Sequence, residues 1–118
     1  MNITIKRVFE SVSAEDGARI LVDRLWPRGL SKDDAQIDAW LKALAPSNEL
    51  RKWYGHDPAK WSGFKDRYFK ELAVEESGLG ELIHWVMKGR VTFLYASKEN
   101  YLNNAAALRE YVVEHLRL

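Results

Sequence analysis

The run Val91-Thr92-Phe93-Leu94-Tyr95-Ala96 constrains this chain most. It is nearly continuous in apolar residues, the habit of a parallel strand covered on both faces. A helical stripe of Leu79, Leu82, Ile83, Val86 and Met87 precedes it and stops at Gly89. A polar loop, Ser97 to Asn100, follows it and leads to a last helix over 103–117, with Leu108, Tyr111, Val112 and Leu116 as its apolar positions. Helix, strand and helix in that order form half of a βα unit and commit the chain to a parallel sheet.

The remaining elements are read around that strand. Ile3 and Ile5 alternate with Thr4 and Arg7, and with Val8 they predict a first strand. Ser11 to Gly17 is polar and ends in the turn pair Asp16-Gly17. Residues 18–25 read as a second strand. Ser31 can cap a helix whose first turn holds Asp33 and Asp34, where the dipole favours acids. Ile37, Trp40, Leu41 and Leu44 continue the helical spacing as far as Pro46. Ser47 opens a short helix with Leu50 and Trp53 on one face, ended by Gly55. Asp57-Pro58 is a cap followed by proline at the first helical position. Trp61, Phe64, Tyr68 and Leu72 then mark an amphipathic helix, which Ser77-Gly78-Leu79-Gly80 is expected to break. The expected fold is α/β: a small single-domain three-layer sandwich over 1–118, with a short, mainly parallel sheet of three strands.

Composition narrows the function classes. There is no cysteine, so disulfides, thiolate metal sites and a thiol nucleophile are excluded. That absence, and an N-terminus without a signal-peptide core, lead to an expected cytoplasmic location. No stretch approaches membrane-spanning length. The formal charge of +1 provides no global basic field of the kind that nucleic-acid binders carry. No two histidines show ligand spacing with an acid, so no metal site is expected. No glycine-rich phosphate loop or dinucleotide fingerprint follows a strand, and no cofactor is expected.

The candidate chemistry is local. In open α/β sheets ligands sit outside the carboxyl ends of the strands. Loops 23–30 and 96–104 leave two such ends and should converge. The first holds Asp23-Arg24-Leu25-Trp26-Pro27-Arg28-Gly29, in which Pro27 restricts the path and two guanidiniums are presented. Arginine matches carboxylate or phosphate with a planar fork. Arg24 and Arg28 can either clamp an anion or brace the loop against an acid. Arg7, at the end of the first strand, can join them. Asp23 can orient an arginine or act as a general base. Trp26 and Tyr54 can pack on the organic part of a ligand, and both are equally suited to a core. Lys98 can add a point charge. Of Asn103 and Asn104, one is expected to cap the last helix and the other to meet a ligand. His56, in a loop beside Tyr54, is the best acid/base candidate.

The motifs Val22-Asp23-Arg24-Leu25-Trp26-Pro27-Arg28-Gly29, Trp40-Leu41-Lys42 to Ala45-Pro46-Ser47, Leu50-Arg51-Lys52-Trp53-Tyr54-Gly55-His56-Asp57-Pro58 and Leu94-Tyr95-Ala96 resemble the YeaO-like family. This is a bacterial branch of the domain of unknown function family 488. The resemblance runs in order from about Ile5 to Leu116. It implies a single α/β domain and brings no settled activity. Wider relatives carry a cysteine at the end of the third strand and Cys-His-Arg at the start of the last helix. Here Tyr95 and Asn103-Asn104-Ala105 stand at those places, so a thiol mechanism cannot operate. The nearer branch would have Asn-His, and Asn104 departs from it. Arg24, Trp26, Arg28 and His56 then imply a pocket kept for binding or for non-thiol acid/base chemistry. The expected function is binding of an anionic, phosphate- or nucleotide-like small molecule. A nucleic-acid-associated module and a ligand-free structural or partner-binding domain are the alternatives. Oligomeric state stays open.

Overall fold

The structure, a computed structural model, describes residues 2–116. Four strands form one sheet in the order β1-β4-β2-β3, every pair parallel: β1 (Ile3–Arg7), β2 (Ala18–Leu21), β3 (Ala39–Trp40) and β4 (Val91–Tyr95). Five α-helices accompany them: α1 (Lys32–Ala35), α2 (Asn48–Tyr54), α3 (Trp61–Ala73), α4 (Glu76–Lys88) and α5 (Asn104–Tyr111). β4 is central, with Val91 opposite both Ile3 and Ala18. Every residue of β4 is buried, which accounts for its nearly unbroken apolar run.

The two faces of the sheet are covered unequally. Val91, Phe93, Tyr95, Ile20 and Val22 pack with α2 to α5 in the larger core, around Phe64, Tyr68, Leu72, Leu82 and Leu108. Leu21, Leu94 and Val8 point the other way, under Trp26, Leu30, Ile37 and Trp40. That second cover is thin. It consists of one short turn at Ala14–Asp16, α1 and irregular chain. Gly17, at φ +64°, lets the chain pass close to the sheet: a Cβ there would lie 2.2 Å from the carbonyl oxygen of Arg90.

Two expectations are corrected. The helix begun at Ser31 does not run on to Pro46. Ser31 caps α1 through the Asp34 N–H, but the chain turns left-handed at Gln36 and then pairs with β2 as β3. Asp38 locks this pairing, giving its N–H to the Arg19 carbonyl at 2.7 Å and accepting the Arg19 N–H at 2.7 Å. Sheet pairing therefore overrides the helical spacing of Ile37, Trp40 and Leu41. Nor do Gly78 and Gly80 break a helix. The break falls at Val74-Glu75, and both glycines lie inside α4. A Cβ on Gly78 would stand 2.9 Å from Leu44 Cδ2, so this glycine permits close packing of α4 on the 42–44 turn. The last helix is α5 followed by a wider turn, Val112–Leu116. Its expected end at 117 lies outside the described residues.

Asp57 enters as read. Its carboxylate accepts the Ala59 N–H at 3.0 Å, and Pro58 opens a 3₁₀ turn that feeds α3. Asp57→Ala is expected to cost about 1 kcal/mol in a denaturant melt, the usual value of an exposed cap. A loss above about 2 kcal/mol would show that the residue does more than cap.

Candidate functional site

Parallel pairing puts the ends of β2 and β4 side by side, and the loops leaving them face each other. Between them and α2 lies a cavity of about 400 Å³. The 22–28 loop contributes Asp23, Arg24, Trp26 and Arg28; α2 and the turn after it contribute Asn48, Arg51, Lys52, Tyr54 and His56; Ala96, Ser97, Asn103 and Asn104 close the far side. Eight of the ten residues singled out from sequence therefore line one cavity.

The electrostatics are one-sided. Arg24, Arg28, Arg51 and Lys52 line the cavity, against a single carboxylate, Asp23. Among the described residues none of these four cations pairs with a carboxylate. Arg24 is braced, but by carbonyl groups: Nε donates to Pro46 O at 3.3 Å and one Nη to Ala45 O at 3.2 Å. Those carbonyls sit in a fixed segment. Glu71 accepts from the Ser47 N–H at 2.8 Å and from its hydroxyl at 2.7 Å, and the buried Tyr68 hydroxyl donates to Leu44 O. Arg24 is thus aimed without being neutralised. Arg28 is exposed at the rim.

Asp23 is a stitch rather than an orienter of arginine. Its Oδ2 accepts the Ala96 N–H at 2.9 Å, and its Oδ1 accepts from Asn104 Nδ2 at 2.9 Å. Its carbonyl accepts the Trp40 indole N–H at 2.7 Å. Burial pushes its carboxyl above the usual range, only partly offset by the Asn104 and Ala96 hydrogen bonds and the Arg51 charge. One carboxylate thereby ties the ends of β2 and β4 to the start of α5.

One of the two asparagines caps the helix, as expected. Asn103, 2% exposed, caps α5 by accepting the Ala106 N–H at 2.9 Å. Asn104 lines the cavity, with Nδ2 also donating to Val22 O at 3.0 Å. The start of α5 therefore faces the cavity and adds the positive end of its dipole.

The aromatic residues serve packing first. Trp26 donates its indole N–H to Leu30 O at 2.6 Å and meets Trp40 edge-on at 5.5 Å. Tyr54 is buried, stacked on Phe64 at 4.5 Å, and its hydroxyl donates to Leu102 O at 2.8 Å. Each shows only part of its ring to the cavity. His56 is exposed, with φ +56°, directly after Gly55 at φ +53°. Two successive left-handed residues turn the chain at the cavity mouth, a conformation that costs energy for a non-glycine residue.

Two candidates fall elsewhere. Arg7 stands outside the cavity and braces the 96–97 turn, donating to Ser97 O at 2.9 Å and Ala96 O at 3.1 Å. Lys98 is exposed and does not line the cavity. In exchange the cavity takes in Asn48, which the sequence does not single out, and Arg51 and Lys52, the two cations of the 51–57 cluster that the sequence points only toward a nucleic-acid strand. Their i, i+3, i+4 spacing was the available signal, since it puts all three on the side of α2 away from Leu50. Among the described residues no cluster of potential ligands could hold a metal ion, and no helix is long and apolar enough to cross a membrane.

Comparison with known proteins identifies relatives of the chain. A family model described as the inactive DUF488-N3 subclade matches residues 2–118. The uncharacterised protein YeaO of Escherichia coli K12 is 40% identical over 95% of this chain and 97% of its own length. The uncharacterised proteins Rv3073c of Mycobacterium tuberculosis and Mb3100c of Mycobacterium bovis are each 39% identical, over 92% of this chain and 91% of theirs. No solved structure matches.

Proposed function

This chain belongs to the YeaO-like DUF488 family, in the subclade described as inactive, and we propose that its cavity binds an anionic small molecule without transforming it. The observation that carries this reading is the set of four cations around one cavity, none paired with a carboxylate among the described residues. Grouped cations that share no counter-ion repel one another, and an oxyanion relieves that repulsion while accepting their hydrogen bonds. A cavity of about 400 Å³ has room for a phosphate bearing a modest organic group. The exposed edges of Trp26 and Tyr54 would flank that group.

Binding fits better than acid/base chemistry. Both carboxylate oxygens of Asp23 are engaged by the fold, which leaves it poorly placed to take a proton from a ligand. His56 stands at the open rim, where water competes for any proton it handles.

Titration calorimetry with inorganic phosphate and with a nucleoside monophosphate tests the reading. Saturable binding of one ion per chain is expected, weakening with salt by roughly the slope of a few contacts. Absence of heat with both would overturn it. Tighter binding to single-stranded oligonucleotide, with a much steeper salt slope, would favour the nucleic-acid reading instead.

A further inference from the structure

Asn104 brings an unused acceptor into a cavity whose charged groups are mostly donors. Its Nδ2 donates to Val22 O at 3.0 Å and to Asp23 Oδ1 at 2.9 Å. With both N–H groups committed, the amide cannot rotate, and its Oδ1 is turned away from both partners. Among the described residues no donor reaches that oxygen, and no buried side-chain polar atom lacks a partner. The oxygen is therefore open, and the surface that Asn104 shows is the cavity wall. Neighbouring side-chain acceptors already have partners: each Asp23 oxygen accepts one hydrogen bond, from Ala96 or Asn104, and Asn48 Oδ1 accepts from Arg51 at 3.2 Å.

A bare oxyanion gains nothing from such an oxygen and is repelled by its partial negative charge. An oxyanion that carries its own O–H can donate to it while its other oxygens meet the arginines. Resting on the anion-binding reading above, we propose that Asn104 is the specificity-determining residue of this cavity, selecting oxyanions that bear a proton. Hydrogen phosphate is the simplest member of that class and sulfate the simplest that it rejects. A neutral amide oriented by an acid makes this selection without adding a negative charge, so the cavity keeps its positive balance.

The test compares sodium phosphate and sodium sulfate by titration calorimetry at about pH 8 and equal ionic strength. Both are then chiefly tetrahedral dianions of similar size, and they differ by one O–H. Phosphate is expected to bind about tenfold more tightly, the worth of one hydrogen bond. Asn104→Leu should remove the preference, bringing the phosphate-to-sulfate affinity ratio down to about one. Sulfate binding the parent as tightly as phosphate would overturn the proposal while leaving anion binding intact. Failure of both anions to bind would remove anion binding itself, and the selection with it. Should Asn104→Leu lose its fold, the phosphate-to-sulfate ratio of the parent still decides.

Discussion

Asp16→Ala is expected to lower stability by about 3 kcal/mol, a fall in Tm of roughly 10 °C for a domain of this size. Asp16 is 7% exposed and Arg19 3%. Arg19 Nη1 donates to Asp16 Oδ2 at 2.6 Å, while its other nitrogens hold Ala35 O and Gln36 O. Lys6 Nζ meets Asp16 Oδ1 at 3.0 Å, and the Ser13 N–H donates to Oδ2 at 3.0 Å. Removing the carboxylate leaves a buried guanidinium without its counter-ion, which costs more than the pair itself contributes. The figure stands at the low end for such pairs because Lys6 is partly open to water. Asp16→Leu combined with Arg19→Met should lose less than either change alone, since no buried guanidinium or carboxylate is then stranded and only the partly open Lys6 loses its partner. Denaturant melts that place Asp16→Ala within 1 kcal/mol of the parent would refute the bracing role.

The same group predicts an acid limb. Burial alone would raise the Asp16 carboxyl, but the Ser13 N–H, Lys6 and Arg19 outweigh it and hold it below the ordinary 3.8. Its folded form is thus the weaker binder of protons. The stability it contributes is fully present above the ordinary carboxylate value and is lost as pH falls through the lower folded one. Asp23 runs the other way, because burial raises it. The parent minus Asp16→Ala difference isolates Asp16. That difference should shrink only below about pH 4 and stay flat from there to neutrality.

What was legible in the chain follows from how local each signal is. β4 announces itself because burial on both faces admits almost nothing polar. Ser47 and Asp57 announce helix starts because a cap bonds to its own next turn. β3 is invisible for the converse reason. Two residues, Ala39 and Trp40, carry no pattern, and they become a strand only because β2 offers a ladder and Asp38 bonds Arg19. Gly78 carried an ambiguous signal: it reads as a breaker, but the neighbour that requires it, Leu44, is distant in sequence.

The candidate site divides along the same line. Convergence of loops 22–28 and 96–104 follows from parallel pairing, which the apolar run of β4 already implied. Arg7 failed that inference because β1 lies on the other side of β4 from β2, away from the crevice. Its charge is turned instead to the carbonyls behind the 96–97 turn. Arg51 and Lys52 stood out as a basic, aromatic cluster but could not be assigned to this cavity, because a helix face with two cations looks like any solvated face until its neighbour is known.

Arg24→Met is expected to reduce anion affinity by at least tenfold while lowering stability by only about 1 kcal/mol. The unequal pair of effects follows from what Arg24 touches. Its brace consists of two carbonyl oxygens at 3.2 and 3.3 Å, beyond the best hydrogen-bond distance, and no carboxylate. Methionine retains much of the apolar stem, so little packing is lost. No buried charge is orphaned, in contrast with Arg19, whose removal would strand Asp16. The guanidinium, however, is one of four charges on the cavity wall and the one most firmly aimed, so its loss removes fork geometry as well as charge. Lysine in its place should recover part of the affinity through charge alone, and less than arginine because it lacks the fork. Melts and phosphate titrations of Arg24→Met and Arg24→Lys separate the cases. Destabilisation by more than about 3 kcal/mol with unchanged phosphate affinity would make Arg24 a structural brace and take away the anion site's best-positioned group.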